Sequence, residues 1–174
     1  MRVPDFSGAP LAIEYMDDPR AWRGKLRCGP GPGAPVHAGS FIRQRRIVLD
    51  TALLRRPREH RRILVHELFH FAWVRLGPAE RESWTALLTR EAKAHARGEL
   101  GWSAELAKSR IGPSDRASNH RRWRRYLSEA FCDTAAWLFA GITRHSEFTL
   151  ARRHRQDRRA WFKDFVKTHG SIPL

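Results

Sequence analysis

The chain has 174 residues, 41 % of them hydrophobic, with seven Trp and nine Phe, enough apolar mass for a core and too much for a disordered chain. Its formal net charge of +15 can attract acidic proteins or nucleic acid, yet no RNA-binding, zinc-knuckle or helix-turn-helix pattern accompanies that charge. Two cysteines, Cys28 and Cys132, exclude a disulfide framework. Met1–Phe6 carries no hydrophobic signal core and no apolar run reaches membrane-spanning length, so the expectation is a cytoplasmic protein without a membrane partner.

Residues 1–40 read as an irregular N-terminal segment with short strands. Leu11–Tyr15 is one of these, closed by Asp17, Asp18 and Pro19. Cys28–Pro35 alternates Gly with Pro and reads as a surface loop, without the Lys-Ser/Thr of a phosphate-binding loop. Phe41–Asp50 reads as one strand, whose basic middle suits an exposed edge. An edge strand just before a helix can hold an extended peptide by backbone pairing.

Pro57 opens a helix that runs to about Leu76 and stops at Gly77-Pro78. Pro78 to about Arg97 reads as a second helix and Ser103–Ser109 as a short third, together a helical insertion over residues 78–120. A long helix is predicted from about Asn119 to Phe139. Ser146 is placed to cap a last helix reaching about Thr168, with Trp161, Phe162, Phe165 and Val166 as its docking face. The expectation is a single α+β domain over residues 1–174: a small mixed sheet with an edge strand packed on a helix, and a mainly helical C-terminal half.

The helix from Pro57 carries His66-Glu67-Leu68-Phe69-His70, an H-E-x-x-H pattern. Residues four apart on a helix lie one turn apart on the same face, so two imidazoles so spaced can grip one zinc ion. The glutamate beside the first can hold and deprotonate a water. At about 100° per residue, His66 and His70 fall opposite the arc of Leu64, Val65, Leu68, Phe69, Phe71, Ala72 and Leu76. That placement argues against two ordinary core histidines.

Two histidines leave the ion short of a third protein ligand. Glu129 and Asp133 lie four apart on the long helix, opposite Leu127, Phe131, Ala135 and Leu138. Two carboxylates on the inner wall of an apolar helix are costly unless paired or bound to metal. Glu129 as ligand, with Asp133 hydrogen-bonded to a ligand imidazole, accounts for both. His95, His120, His145 and His154 are the rival third ligands, each otherwise a solvated histidine on a basic helix. Cys132 falls off the ligand face and reads as a small buried residue.

H-E-x-x-H followed by E-x-x-x-D on a later helix resembles the gluzincin branch of the zincin metallopeptidases. Ile47–Asp50 before Arg62–His70, and Glu129–Asp133 running into Ala135–Leu138, resemble the ImmA/IrrE-type peptidase domain. The pattern also admits zincins with distant third ligands, such as the MtfA-like peptidases. The resemblance implies a zincin-like fold and a zinc-dependent endopeptidase with one Zn2+ on His66, His70 and Glu129, Glu67 as base, and a protein or peptide substrate along the strand of residues 41–49. Tyr126 and His145, along with His120 and Arg144, are candidates for stabilising the oxyanion. The alternative is a non-catalytic or regulatory zinc-binding domain that meets a protein or nucleic-acid partner through its basic surface.

Overall fold

The computed structural model describes residues 1–174 and is an α+β structure. Strands β1 (Asp5–Ser7), β2 (Ala12–Met16), β3 (Pro19–Trp22), β4 (Lys25–Cys28), β5 (Ala34–Pro35) and β6 (Ala38–Phe41) fill the N-terminal forty residues and β7 spans Arg46–Asp50. Helices α1 (Pro57–Arg75), α2 (Pro78–Lys93), α3 (Trp102–Ser109), α4 (Arg121–Phe139) and α5 (Arg152–His169) follow, and β8 (Ser171–Pro173) closes the chain. None of the helices is long and apolar enough to cross a membrane.

The sheets are small and mixed. β7 lies between β2, to which it is parallel, and β6, to which it is antiparallel. β3 pairs antiparallel with β4 and β5, and β1 pairs parallel with β8. The N-terminal segment is therefore better ordered in secondary structure than its sequence predicts. Its strands are two to five residues long, too short to carry a periodic signal.

Phe41–Asp50 is a tight hairpin rather than one strand. Phe41 ends β6, Ile42–Gln44 makes a 3-10 turn, and Arg45 adopts a left-handed conformation at φ +49° before β7 begins. Arg46 then places its guanidinium 4.5 Å from the centre of the Phe41 ring across the hairpin. Ile47, Val48 and Leu49 are buried, so β7 is the central strand and β6 is the edge.

α1 is the pivot. Pro57 occupies its first turn, as the sequence predicts, and the helix is buried on most sides. Its Phe69 stacks on Phe139 of α4 with ring centres 5.5 Å apart and meets Phe162 of α5 at 6.0 Å. α4 runs antiparallel to α1: Arg61 lies near Gly141, His66 beside Asp133 and Trp73 beside Phe131. The apolar core draws residues from Ile47 through to Leu174.

α5 starts at Arg152, with Ala151 as its N-cap, so Ser146 does not cap it. The cause is tertiary. The backbone N–H groups of Thr149 and Leu150 both donate to the Glu99 carbonyl, at 2.8 and 3.0 Å, which keeps this stretch out of the helix.

Residues 78–120 are built into the core. Trp84 of α2 is fully buried and donates its indole N–H to the Leu127 carbonyl at 3.0 Å. The segment also supplies Glu91 and Glu99 to a buried ionic cluster around Arg158, which is 0 % exposed. Arg158 bonds Glu91 Oε2 at 2.7 Å and Glu99 Oε2 at 2.8 Å, and Lys108 adds a second cation at 3.0 Å from Glu99 Oε1. Two buried carboxylates and two cations leave no charge unpaired.

Candidate metal centre

The four-residue spacing on α1 places His66 and His70 side by side, with Nε2 to Nε2 at 3.1 Å. Glu129 of α4 faces both, its Oε2 lying 3.5 Å from His66 Nε2 and 3.8 Å from His70 Nε2. The fit to zinc is metric: a tetrahedral ion at roughly 2.0–2.1 Å from nitrogen and oxygen donors sets those donors roughly 3.3–3.4 Å apart. The three observed separations bracket that edge.

Asp133, one turn beyond Glu129, is buried. Its Oδ1 lies 2.7 Å from His66 Nδ1, and its Oδ2 accepts the backbone N–H of Ala104 at 2.8 Å. A carboxylate on Nδ1 fixes the tautomer that aims Nε2 away from it, towards His70 and Glu129. The first turn of α3 thus anchors the group that orients His66. Gly101, just before α3, packs directly against the Asp133 carboxylate, with no room for a Cβ.

A second arrangement shares the histidines. His66, His70 and Cys132 offer ligand atoms within 4.8 Å of one another and could hold a metal. Cys132 is buried, and its Sγ lies 3.3 Å from Nδ1 of His70, the ring nitrogen opposite the one that faces Glu129. Burial, together with the charges of Glu129, Asp133 and Glu67, pushes the thiol pKa well above its usual range. Geometry separates the two candidates: Glu129 Oε2 faces both Nε2 atoms, at 3.5 and 3.8 Å, whereas Cys132 Sγ meets His70 on its other ring nitrogen. The helical wheel set Cys132 apart from the ligand face and gave no sign of this contact.

The electrostatics suit a cation. Burial opposes charge on Glu129, but its hydrogen bond with His66 and the charges of His70, His66 and Arg125 outweigh it and hold the carboxyl at about 2. Burial also opposes charge on His66, yet the Asp133 and Glu129 carboxylates raise its pKa well above the usual value. Burial and the neighbouring His66 charge lower that of His70.

Glu67 is buried at the floor of the same cleft. Ser40 of β6 donates its hydroxyl to Glu67 Oε2 at 2.6 Å and also lies 3.1 Å from the Glu67 carbonyl. Sequence reading missed Ser40, because nothing in a lone serine on a short strand points to a glutamate 27 positions on. The cleft encloses about 650 Å³ between β6, α1, α3 and α4. His37–Ser40 form its strand wall with Ile42 beyond them, so the edge beside the candidate metal centre is β6, which overlaps the expected strand of residues 41–49 only at Phe41.

No known family, curated protein or solved structure matches this chain.

The other predicted residues lie elsewhere. Tyr126 turns into the core and donates its hydroxyl to Glu99 Oε1 at 2.6 Å, so it is not an oxyanion donor. His145 pairs with Glu59 at 2.8 Å and is absent from the cleft wall. His120 caps α4 and pairs with Asp115 at 3.1 Å, Arg144 and His95 are exposed, and His154 is buried beside Arg153. None of these four lines the cleft.

Proposed function

We propose that the protein is a zinc-dependent endopeptidase of the gluzincin kind, with His66, His70 and Glu129 as ligands and Glu67 as the general base. The observation that carries this reading is Glu67 itself. It lies next to a ligand on α1, lines the cleft beside the three converging donors, and has one carboxylate oxygen held by Ser40. A purely structural zinc site has no use for such a group, which weighs against a non-catalytic zinc domain.

Zinc bound there would supply a Lewis acid that acidifies water and polarises a scissile carbonyl. Asp133, a carboxylate that can only accept, keeps His66 in the ligating tautomer, and Cys132 packs its sulfur 3.3 Å from Nδ1 of His70. Ser40 fixes Glu67 through Oε2, leaving Oε1 to take a proton from water and pass it to the leaving amine. The edge of β6 is placed to pair with an extended substrate backbone, as an added strand.

The test is to measure bound zinc and cleavage of an unfolded protein by wild type and Glu67→Gln. The reading expects equal zinc and a fall in cleavage of roughly 10²–10⁴-fold. Unchanged cleavage by the variant, or a zinc-loaded wild type that cuts nothing offered, overturns it.

A further inference from the structure

The cleft has two unlike ends. Towards the N-terminal half of α1 its only guanidinium is Arg62, saturated by Glu59 and Glu147 at 2.9 Å each. Towards the N-terminus of α4 the wall includes Arg125, whose side chain is 59 % exposed. Arg121, Arg122 and Arg124 continue from it on the first turn of α4, all exposed, with no acidic residue in that turn.

Folding explains this turn only in part: Arg124 donates to the Asn119 carbonyl at 2.9 Å, while the Arg121 and Arg122 guanidiniums make no hydrogen bond. Cations at a helix N-terminus oppose the helix dipole, and arginines three and four residues apart repel one another. The nearby carboxylates offer little relief. Asp115 lies 3.8 Å from Arg122, and Glu129, 3.5 Å from Arg125, belongs to the metal centre. The patch is continuous with the cleft through Arg125 and Ser128.

The geometry points to an acidic peptide segment as the occupant of this end, an inference that rests on the peptidase reading above. With a divalent ion bound, Glu67, Glu129 and Asp133 still leave the centre of the cleft with about one net negative charge, so the acids of the substrate are better placed away from the scissile bond. Arg122 precedes Glu129 by two helical turns, roughly 10 Å of helix rise. That span matches about three residues of extended peptide. The site selects acidic residues about three positions from the scissile bond, on the α4 side only, and acts through binding, hence through KM.

The experiment compares peptides that differ only in carrying Asp, Gln or Lys about three positions to one side or the other of the cut. Wild type is set against the triple variant R121Q/R122Q/R124Q and against R152Q/K163Q/K167Q, which removes equal charge from exposed positions on α5. The expected result is a preference for Asp over Gln of about tenfold in kcat/KM, about 1.4 kcal/mol. It should arise on one side of the cut, weaken with salt, collapse in the α4 triple variant and persist in the α5 variant.

Equal cleavage of all three peptides, or a preference that survives the α4 substitutions, overturns the inference. So does duplex DNA binding through the same arginines at about 0.15 M salt without any acidic-peptide preference. Fluorescence anisotropy of the labelled peptides on Glu67→Gln separates this inference from the peptidase reading. If wild type cuts nothing, peptidase activity fails. Selective binding of the acidic peptide that the α4 triple variant loses still upholds the patch, and its absence refutes it.

Discussion

Gly101→Ala tests whether the segment between α1 and α4 takes part in the metal centre. The backbone there is extended, at φ −179°, so alanine meets no backbone penalty. Its methyl group would instead occupy the space of the Asp133 carboxylate. Either α3 backs away, losing the 2.8 Å bond from Ala104 N–H, or Asp133 shifts off the 2.7 Å contact with His66. Overpacking of this kind costs about 1–3 kcal/mol, which in a chain of this size lowers Tm by roughly 3–10 °C. Disturbing the group behind a ligand histidine weakens metal binding roughly 10–100-fold, or about 1.4–2.7 kcal/mol.

The assay is a zinc titration in competition with a chromophoric chelator, alongside melting curves with and without zinc. Asp133→Asn, which keeps the volume and removes the charge, should weaken zinc in the same direction. A Gly101→Ala protein that melts lower yet binds zinc like wild type would refute the coupling. It would mean that α3 gives way while Asp133 keeps its hold on His66; unchanged zinc binding by Asp133→Asn would mean that Asp133 does not aim His66.

Two further outcomes follow from the buried groups. Arg158→Met leaves Glu91 and Glu99 facing each other without their shared cation and should cost about 3–5 kcal/mol, read as a fall in Tm of roughly 10 °C or more, with zinc affinity near that of the wild type. The His66 proton sets opposite pH trends. Because its folded-state pKa is raised, its stabilisation of the metal-free protein is complete below about 6.5 and fades as pH climbs through the raised value. Zinc must displace a proton from this ring, so affinity should climb over the same interval. Melting curves should show the metal-free Tm falling and the zinc-induced gain growing as pH rises, and parallel trends would refute the assignment.

The site was legible in sequence where its chemistry is local. H-E-x-x-H and E-x-x-x-D are each a statement about one face of one helix, and the 100° rule puts His66, His70, Glu129 and Asp133 on faces that the structure brings together. It could not place residues whose partners come from afar. Tyr126 sits near Glu129 on the wheel, but Glu99 draws its hydroxyl into the core from 27 positions away. Arg158 binds Glu91 and Glu99 across 67 and 59 positions, and no periodicity records such a pairing.

The helix boundaries show the same division. α1 and the end of α4 follow Pro57, Gly77-Pro78 and Gly141, which act locally. α5 departs from its predicted cap because the Glu99 backbone captures residues 149 and 150. Phe41–Asp50 splits because Arg45 takes a left-handed turn, a conformation that composition does not announce in an arginine.

The most direct measurement is the zinc K-edge X-ray absorption spectrum of the loaded protein. Ligation by His66, His70 and Glu129 predicts only nitrogen and oxygen neighbours, at roughly 2.0–2.2 Å, and no change on Cys132→Ala. A sulfur neighbour at roughly 2.3 Å, lost in that variant, would contradict the account and move the third ligand from Glu129 to Cys132.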